Sequence, residues 1–577
     1  LKYSWVYKEE DPKLQGIISR ELAVSPILAK LLINRGITDP SSAHKFIKPF
    51  LKDLYDPFLM KDMEKSVDRI IRAIKAKERI LFYGDYDVDG ITTTALFINF
   101  FRDLGLEVDY YIPNRFSEGY GLNIDAIKRI KEREVELIIT GDCGTNSYEE
   151  VELANQLGID IIITDHHEPL PPSPKAYAVL NPKQKDCLYP FKNLAGVGVA
   201  FKLIVAIRAV LRKNGYSVKR LPNLKKYLDM VSLGTISDMA PLIDENHNLV
   251  KHGLKMITNS LNIGIESLKE ISGIYGRDIG VSEVGFILSP RINSVGRLGN
   301  ASISVELLTT DDKDRAIEVS QILDKQNRER QSIQENILME AKDIIQYSLP
   351  SIKDEDILIL SSPDWHQGVI GIVASKLAEE YKRPTILISI EGESGKGSAR
   401  SINSFNIYEA LSECRDMLLN FGGHEYAAGF TLEKKNIKGL RERLKGIFDK
   451  KINKYDITPE IIIDAKIPFK ELSIDLVNNI ETLGPFGFSN PEPIFSSHGI
   501  EVLGKPRLMG VRENHLKMKL KQGPYVYDSV GFNMSDKIDE INGALIDIAF
   551  IPELHRWNGS ETIRLKLKDI KINQFDY

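Results

Sequence analysis

Asp165, His166 and His167 stand side by side at the end of the apolar run 161–164. Such side chains are poor core residues, since each needs a buried partner or open water. Two more apolar runs end alike. Residues 79–83 lead into Gly84-Asp85-Tyr86-Asp87-Val88-Asp89-Gly90, and 137–140 into Gly141-Asp142-Cys143-Gly144-Thr145. Three strands with acidic or imidazole tips predict one shared site. Asp85, Asp87 and Asp89, at i, i+2 and i+4, would share one face of an extended segment. Three carboxylates that close repel unless cations neutralise them. Gly90 would then let the chain turn tightly into a helix. Asp238, within 234–241, adds a carboxylate. Oxygen donors with imidazole suit Mn²⁺ better than Mg²⁺. The lack of paired cysteines argues against structural zinc. So many ligands predict two metal ions about 3.5–4 Å apart, which activate a water and stabilise charge on a phosphoryl group. The chemistry would be phosphodiester or phosphoanhydride hydrolysis. A lone DxDxD is as well read as a solvated acidic loop with helix-capping carboxylates. Convergence at the carboxyl ends of strands, where open α/β sheets bind ligands, favours the metal reading.

The elements that must hold these tips follow from the hydrophobic pattern. From 80 to 181, strand, loop and helix alternate, predicting a parallel sheet covered on both faces. Residues 1–60 read as a helical lead-in, and 195–260 as helical with a break at 234–241. A charged helix over 311–347 is too polar all round for a core and would bridge domains. A second α/β unit begins at 357, with a strand at 384–390 and a turn at Gly422-Gly423-His424. After 455, period-two alternation at 515–521 and 563–568 predicts a small antiparallel barrel. The expected division is 1–60, 61–260, 261–347, 348–452 and 453–577.

The chain has 577 residues, 42% hydrophobic and 27% charged, with a formal net charge of -5. A nucleic-acid enzyme of that charge must gather its Lys and Arg into patches. Three cysteines, none in a CxxC pair, predict reduced thiols. No apolar run reaches the roughly 18 residues of a membrane span, and residues 1–5 lack a signal peptide's apolar core. A cytoplasmic protein without membrane contact is expected.

The segments GDYDVDG, GDCGT, TDHH and GTISDMAPL resemble the four motifs of the DHH phosphoesterase superfamily. Within it the chain resembles the RecJ family of single-strand-specific DNA exonucleases. Further similar segments follow in order: 290–298, 365–374, 397–401, 422–429 and 483–487. The resemblance implies a parallel-sheet DHH domain, a long helix, a smaller α/β domain and a C-terminal OB-fold. It also implies 5′-to-3′ degradation of single-stranded DNA to mononucleotides in repair and recombination, with two Mn²⁺ or Mg²⁺ ions.

By the same resemblance Asp142 bridges the metals. Asp85 and Asp87 complete one metal site; Asp89, His166 and Asp238 complete the other. Which of Asp85 and Asp87 binds directly stays open. Asp165 would support the histidines, and His167 would face substrate. Arg115, Arg291, Arg297, Ser398, Arg400 and His424 would hold the strand. Among them Arg115, Ser398 and Arg400 would form a pocket for its 5′ end. His424 is otherwise a structural turn residue, and Trp365 with His366 read equally as packing and capping. Lys517, Lys519 and Lys521, and Arg564, Lys566 and Lys568, would track DNA or simply protect strand edges. Phe486 and Phe488 would stack on bases or fill the barrel. A single-strand-binding protein, a RecQ-type helicase and a monomeric state are implied by family analogy. The alternatives are an oligonucleotide or cyclic-dinucleotide phosphodiesterase, which does not need the barrel, and a non-catalytic scaffold, which would lack motif carboxylates. A pyrophosphatase would not need so long a chain.

Overall fold

A computed structural model describes all residues but 1–2, 116, 349–356, 403, 452–459, 511–512, 542, 558–559 and 573–577. The expected boundary at 452/453 lies outside the described residues.

Five parallel strands form the first sheet, in the order Asp109–Tyr111, Ile80–Gly84, Leu137–Gly141, Asp160–Thr164, Ala178–Leu180. Ile80–Gly84 and Leu137–Gly141 are buried at every position, as a sheet covered on both faces requires. Helices Val88–Asp103, Ile124–Glu132 and Tyr148–Gln156 make the crossovers. Pairing continues one residue past each strand. Asp85 N donates to the Gly141 carbonyl at 3.3 Å, Asp142 N to Thr164 at 3.0 Å, and Asp165 N to Leu180 at 3.0 Å. This register brings three acidic residues from distant stretches of sequence to one sheet edge.

The helix Lys313–Asp343 spans 31 residues and does bridge two cores. Ala316, Val319 and Leu323 pack in the core under the first sheet; Ile337 and Ala341 pack in that of the second. The second sheet runs Leu418–His424, Ala427–Glu433, Ser394–Arg400, Thr385–Glu391, Leu358–Ser362, and only its last pair is parallel. At the C-terminal end, strands Phe495–Met509, His515–Gln522, Tyr525–Gly531, Ser560–Ile572 and Leu545–Trp557 pair in that order. The last pairs back to the first and closes a five-stranded barrel.

The opening residues do more than lead in. Ser4–Tyr7 is a strand, parallel to Glu460–Ile463, and Ile18, Leu28, Leu31 and Leu32 share the barrel's core. A four-residue strand whose partner lies some 456 positions away leaves no local periodicity to read.

His247 sits where this end meets the first domain. On helix Asp244–Thr258 it stacks on Phe46 with ring centroids 4.1 Å apart, and its Nε2 lies 3.3 Å from the Leu483 carbonyl. Burial first, then the Lys251 charge, lowers its pKa to about 4. An unfolded histidine titrates near about 6.5, so below that pH the unfolded chain takes up the proton first. The contribution is therefore whole above about pH 6.5 and lost as pH falls toward 4. Thermal melting should show about 2 kcal/mol lost between pH 6.5 and 5. His247→Asn should flatten that slope; an unaltered slope would place the titration elsewhere.

Candidate metal centre and nucleic-acid cleft

The acidic run after the first strand is not one extended face, as its spacing had suggested. The strand ends at Gly84 and the helix begins at Val88. Asp85 lies at the strand's mouth. Asp87 is the helix N-cap and accepts from Gly90 N at 3.0 Å, while Asp89 stands in the first helical turn. The strand end places Asp85 and the start of the helix places Asp87 and Asp89, so strand alternation does not set their directions. Gly90 serves a close approach rather than a turn: a Cβ there would lie 2.6 Å from the Asp85 backbone.

Asp142 adopts a left-handed conformation, φ 63°, tolerated by Asp at some cost and typical of functional positions. A Cβ on Gly196 would meet its carboxylate at 2.8 Å, so the helix Gly196–Lys213 can begin against it. The amides of Gly196 and Val197 donate to Asp89 at 2.7 and 2.9 Å. Asp238 was expected in a break of the helical pattern. The helix Leu228–Ser237 in fact runs through Gly234, and Asp238 caps its end.

Ligand atoms of Asp85, Asp87 and Asp142 lie within 4.8 Å of one another, as do those of Asp89, His166 and Asp238. His166 Nε2 joins the groups, 3.1 Å from Asp142, 3.8 Å from Asp238 and 3.9 Å from Asp89. Asp165 stands apart in its bonding. One oxygen accepts from the His166 and His167 amides at 2.7 and 3.1 Å and lies 2.8 Å from His167 Nδ1; the other accepts from Thr145 N at 2.9 Å. Tyr120, which the sequence did not single out, donates to the Asp142 carbonyl at 3.0 Å. Its hydroxyl lies as near to His167 Nδ1, at 3.0 Å. Its signal, an aromatic beside Gly119 and Gly121, is too common to find alone.

Electrostatics at the cluster call for cations. Burial, and then neighbouring carboxylates, hold Asp85, Asp142 and Asp238 well above the usual carboxylate range and Asp89 at about 7. Burial and the His167 charge push His166 down to about 3, so it is a neutral ring with a free lone pair at pH 7. Burial opposes charge on His167, but the Asp165 hydrogen bond and charge raise it to about 9. The buried atoms Asp85 Oδ1, Asp142 Oδ1 and His166 Nε2 have no hydrogen-bond partner. Orphaned oxygens and a neutral imidazole nitrogen, converging, fit divalent ions. Binding must then displace protons. Calorimetry in buffers of different ionisation enthalpy should show proton release, with Mn²⁺ affinity falling from pH 8 to pH 6. A pH-independent affinity would contradict the raised carboxylates.

Four arginines line the cleft beside this cluster. Arg115 lies 5.2 Å over the Tyr86 ring. Arg400 contacts Ser375 Oγ and Ser398 Oγ, each at 3.1 Å, and the Ala399 carbonyl at 2.7 Å. A Cβ on Gly371 would sit 2.8 Å from Ser398 Oγ and 3.0 Å from Arg400, so glycine keeps this hollow open. Burial first, then Arg115, Arg330 and Arg400, lowers Arg297 to about 10. Arg330 was missed: it sits on the long helix, whose charged residues looked uniformly solvated.

Other expectations fare differently. Arg291, expected to hold the strand, is engaged within the fold. It pairs with Asp324 at 3.0 Å and donates to the Ile287 carbonyl at 2.7 Å, bracing two helices. His424 is exposed in a hairpin turn, where its Nδ1 accepts from Tyr426 N at 3.3 Å. Trp365 is buried and donates to Glu340 at 2.9 Å, while His366 accepts from Gly368 N at 3.1 Å, so both pack and cap. In the barrel, Lys517 and Lys519 are exposed, whereas Lys521 pairs with Glu501, Arg564 with Glu553, and Lys566 with Glu492. Phe486 packs against the barrel core and Phe488 is exposed.

Family models match in chain order: the DHH family N-terminal domain over 79–235, the DHHA1 domain over 354–450 and the RecJ OB domain over 463–569. The single-stranded-DNA-specific exonuclease RecJ of Bacillus subtilis is 39% identical over all of this chain and 71% of its own length. That of Escherichia coli is 34% identical, over 94% of this chain and 96% of its own. The chain belongs to the RecJ family. A crystal structure of a family member from Thermus thermophilus, in complex with Mn²⁺, superposes with a TM-score of 0.83 at 29% identity, covering 98% of this chain and 79% of that one. A second, in complex with Mg²⁺, superposes at 0.77 with 27% identity, covering 98% and 78%. The barrel is accordingly the family's OB-fold, and the architecture is α/β with that barrel appended. Among the described residues, no helix is long and apolar enough to cross a membrane.

Proposed function

We propose that this chain is a metal-dependent exonuclease that degrades single-stranded DNA from the 5′ end, releasing mononucleotides in repair and recombination. The observation that carries the reading is the double carboxylate–histidine cluster with unpaired ligand atoms, set beside an arginine pocket. Asp85, Asp87 and Asp142 would hold one divalent ion, and Asp89, His166 and Asp238 the other, with Asp142 between them. When bound, such ions supply Lewis-acid activation of a water and neutralise charge on the phosphoryl group.

The chain's own residues do the rest. Asp165 keeps His167 oriented and charged at pH 7, so its ring can donate to the scissile phosphate or to the departing 3′ oxygen. Tyr120 steadies the same ring. Arg115, Ser398 and Arg400 would receive the 5′-terminal phosphate, and Arg297 the backbone beside it. Both rivals weaken on particular observations. A scaffold would have lost motif carboxylates, and all are in place. A small-substrate phosphodiesterase does not need the barrel, here built in full.

End-labelled single and double strands of DNA and RNA, with and without Mn²⁺, test the reading. Single-stranded DNA should shorten from its 5′ end with Mn²⁺ and much more slowly with Ca²⁺, which binds carboxylates but activates water poorly. Equal rates with the two ions would contradict the mechanism. The monomeric state, the cytoplasmic location and the partners, a single-strand-binding protein and a RecQ-type helicase, are carried as family-based proposals. Sedimentation with and without each partner checks the state and the partners.

A further inference from the structure

The edge strand of the first sheet, Ala178–Leu180, also ends at the cluster, and its tip carries no acid. The register Thr164↔Leu180 sets the next residue, Asn181, opposite Asp165. Asn181 is wholly buried. Its Nδ2 donates to the His167 carbonyl at 2.8 Å and to Thr145 Oγ1 at 3.0 Å, and its Oδ1 accepts from Lys183 N at 2.9 Å. A backbone acceptor on one side and a backbone donor on the other fix which way the amide faces.

These bonds close a circuit. Thr145 N donates to one Asp165 oxygen at 2.9 Å; the other accepts from His167 N at 3.1 Å and lies 2.8 Å from His167 Nδ1. Asn181 joins the two ends, the Thr145 side chain and the His167 backbone. Thr145, Asp165 and Asn181 are all buried, so a partner lost from the circuit leaves an unsatisfied polar group. His167 lies beyond the strand Asp160–Thr164, outside helix and sheet. Side chains therefore do for its backbone what secondary structure does elsewhere: Asp165 holds the amide and Asn181 the carbonyl.

We propose that Asn181 is a positioning residue for the hydrolysis, locking the His167 backbone so that the ring stays aimed at the scissile phosphate. This rests on the exonuclease reading and on the part His167 plays in it. Asp165 and Tyr120 meet the ring itself, but a ring steadied at its nitrogens still shifts if its backbone does. A misplacement of about 1 Å can cost about 100-fold in rate. An asparagine suits this post because it donates and accepts at once and adds no charge beside carboxylates that already repel. An aspartate of the same shape would set an oxygen against the His167 carbonyl. The neutral tip thus complements the three charged ones: they offer ligand atoms, and it sets the geometry of the residue that faces substrate.

The test uses the full-length protein with Mn²⁺ and single-stranded DNA, with steady-state kinetics, single turnovers at excess enzyme, and Mn²⁺ calorimetry. Asn181→Ala should lower kcat about 10- to 100-fold, the scale of two lost buried hydrogen bonds, with KM and Mn²⁺ affinity within about twofold of wild type. Asn181→Asp, which keeps the shape, should lose at least as much; a wild-type kcat in that variant overturns the proposal. In a His167→Ala background, read by single turnovers, Asn181→Ala should cost nothing further. A penalty undiminished in that background overturns the positioning role, as does a loss traced wholly to weaker Mn²⁺ binding, or a His167→Ala variant as fast as wild type. If the Asn181 variants do not fold, Thr145→Val, which keeps the bulk and removes the acceptor, reads the same circuit. Its kcat should fall at unchanged KM, and a wild-type kcat there overturns the proposal. A wild-type protein that leaves the strand whole overturns the exonuclease reading instead.

Discussion

Asp142→Ala is expected to lower single-strand hydrolysis by at least about 10³-fold, on the order of 4 kcal/mol of barrier, while the protein still binds single-stranded DNA. Asp142 groups with Asp85 and Asp87, lies 3.1 Å from His166 Nε2 of the other group, and has its Oδ1 buried without a hydrogen-bond partner. Losing it should weaken both ions together. The proposed phosphate pocket around Arg400 and the exposed lysines of the barrel lie on other elements, so binding of the strand should persist. Anisotropy of a labelled oligonucleotide reads binding; release of labelled mononucleotide reads hydrolysis. Asp165→Ala should act differently. Its carboxylate is saturated by backbone amides and His167, so its loss should disorder the ring and lower kcat while leaving Mn²⁺ bound. Full activity in Asp142→Ala would refute the two-ion assignment.

Arg400→Ala should remove the preference for 5′-phosphorylated over 5′-hydroxyl ends by about 10- to 100-fold, as expected for a charged hydrogen bond to phosphate. The guanidinium is already oriented by Ser375, Ser398 and the Ala399 carbonyl, so little ordering remains to be done on binding. Gly371→Val offers a second route to the same outcome, since its side chain would crowd Ser398 and Arg400. KM on paired 5′-phosphate and 5′-hydroxyl oligonucleotides measures both variants. A preference unchanged in both would move the pocket elsewhere, with Arg115 and Arg297 next to be tested.

The three strand tips were legible because a fully buried parallel strand is a continuous apolar run, and a charged residue at its end stands out. Their meeting was legible through the rule that α/β sheets bind ligands at strand ends. The shape of the acidic run was not. Period-two spacing described Asp85, Asp87 and Asp89 as one extended face, whereas a helix starts at Val88 and sends Asp89 to a different group from Asp85 and Asp87. Arg291 and Arg330 depart from the sequence reading for a related reason. Composition marks an arginine as a phosphate ligand, but only packing shows that Asp324 occupies Arg291 while Arg330 turns into the cleft. His424 has the residue type and turn context of a substrate contact, and the hairpin leaves it exposed.

By itself, then, the sequence determined the chemistry available: carboxylates and imidazoles at strand ends, too many to remain without cations, in the order that marks the RecJ family. That is local information, carried by residue type and short spacing. The tertiary structure decided which atoms are left without partners, which partner each arginine takes, and what stands beside the carboxylate–histidine cluster. A cavity lined by Met239, Phe286 and Phe488 draws on segments about 250 positions apart, so no stretch of sequence contains it. The opening strand's pairing with Glu460–Ile463 is of the same kind. Contacts between distant segments are fixed by burial and register, which act only once the chain has folded.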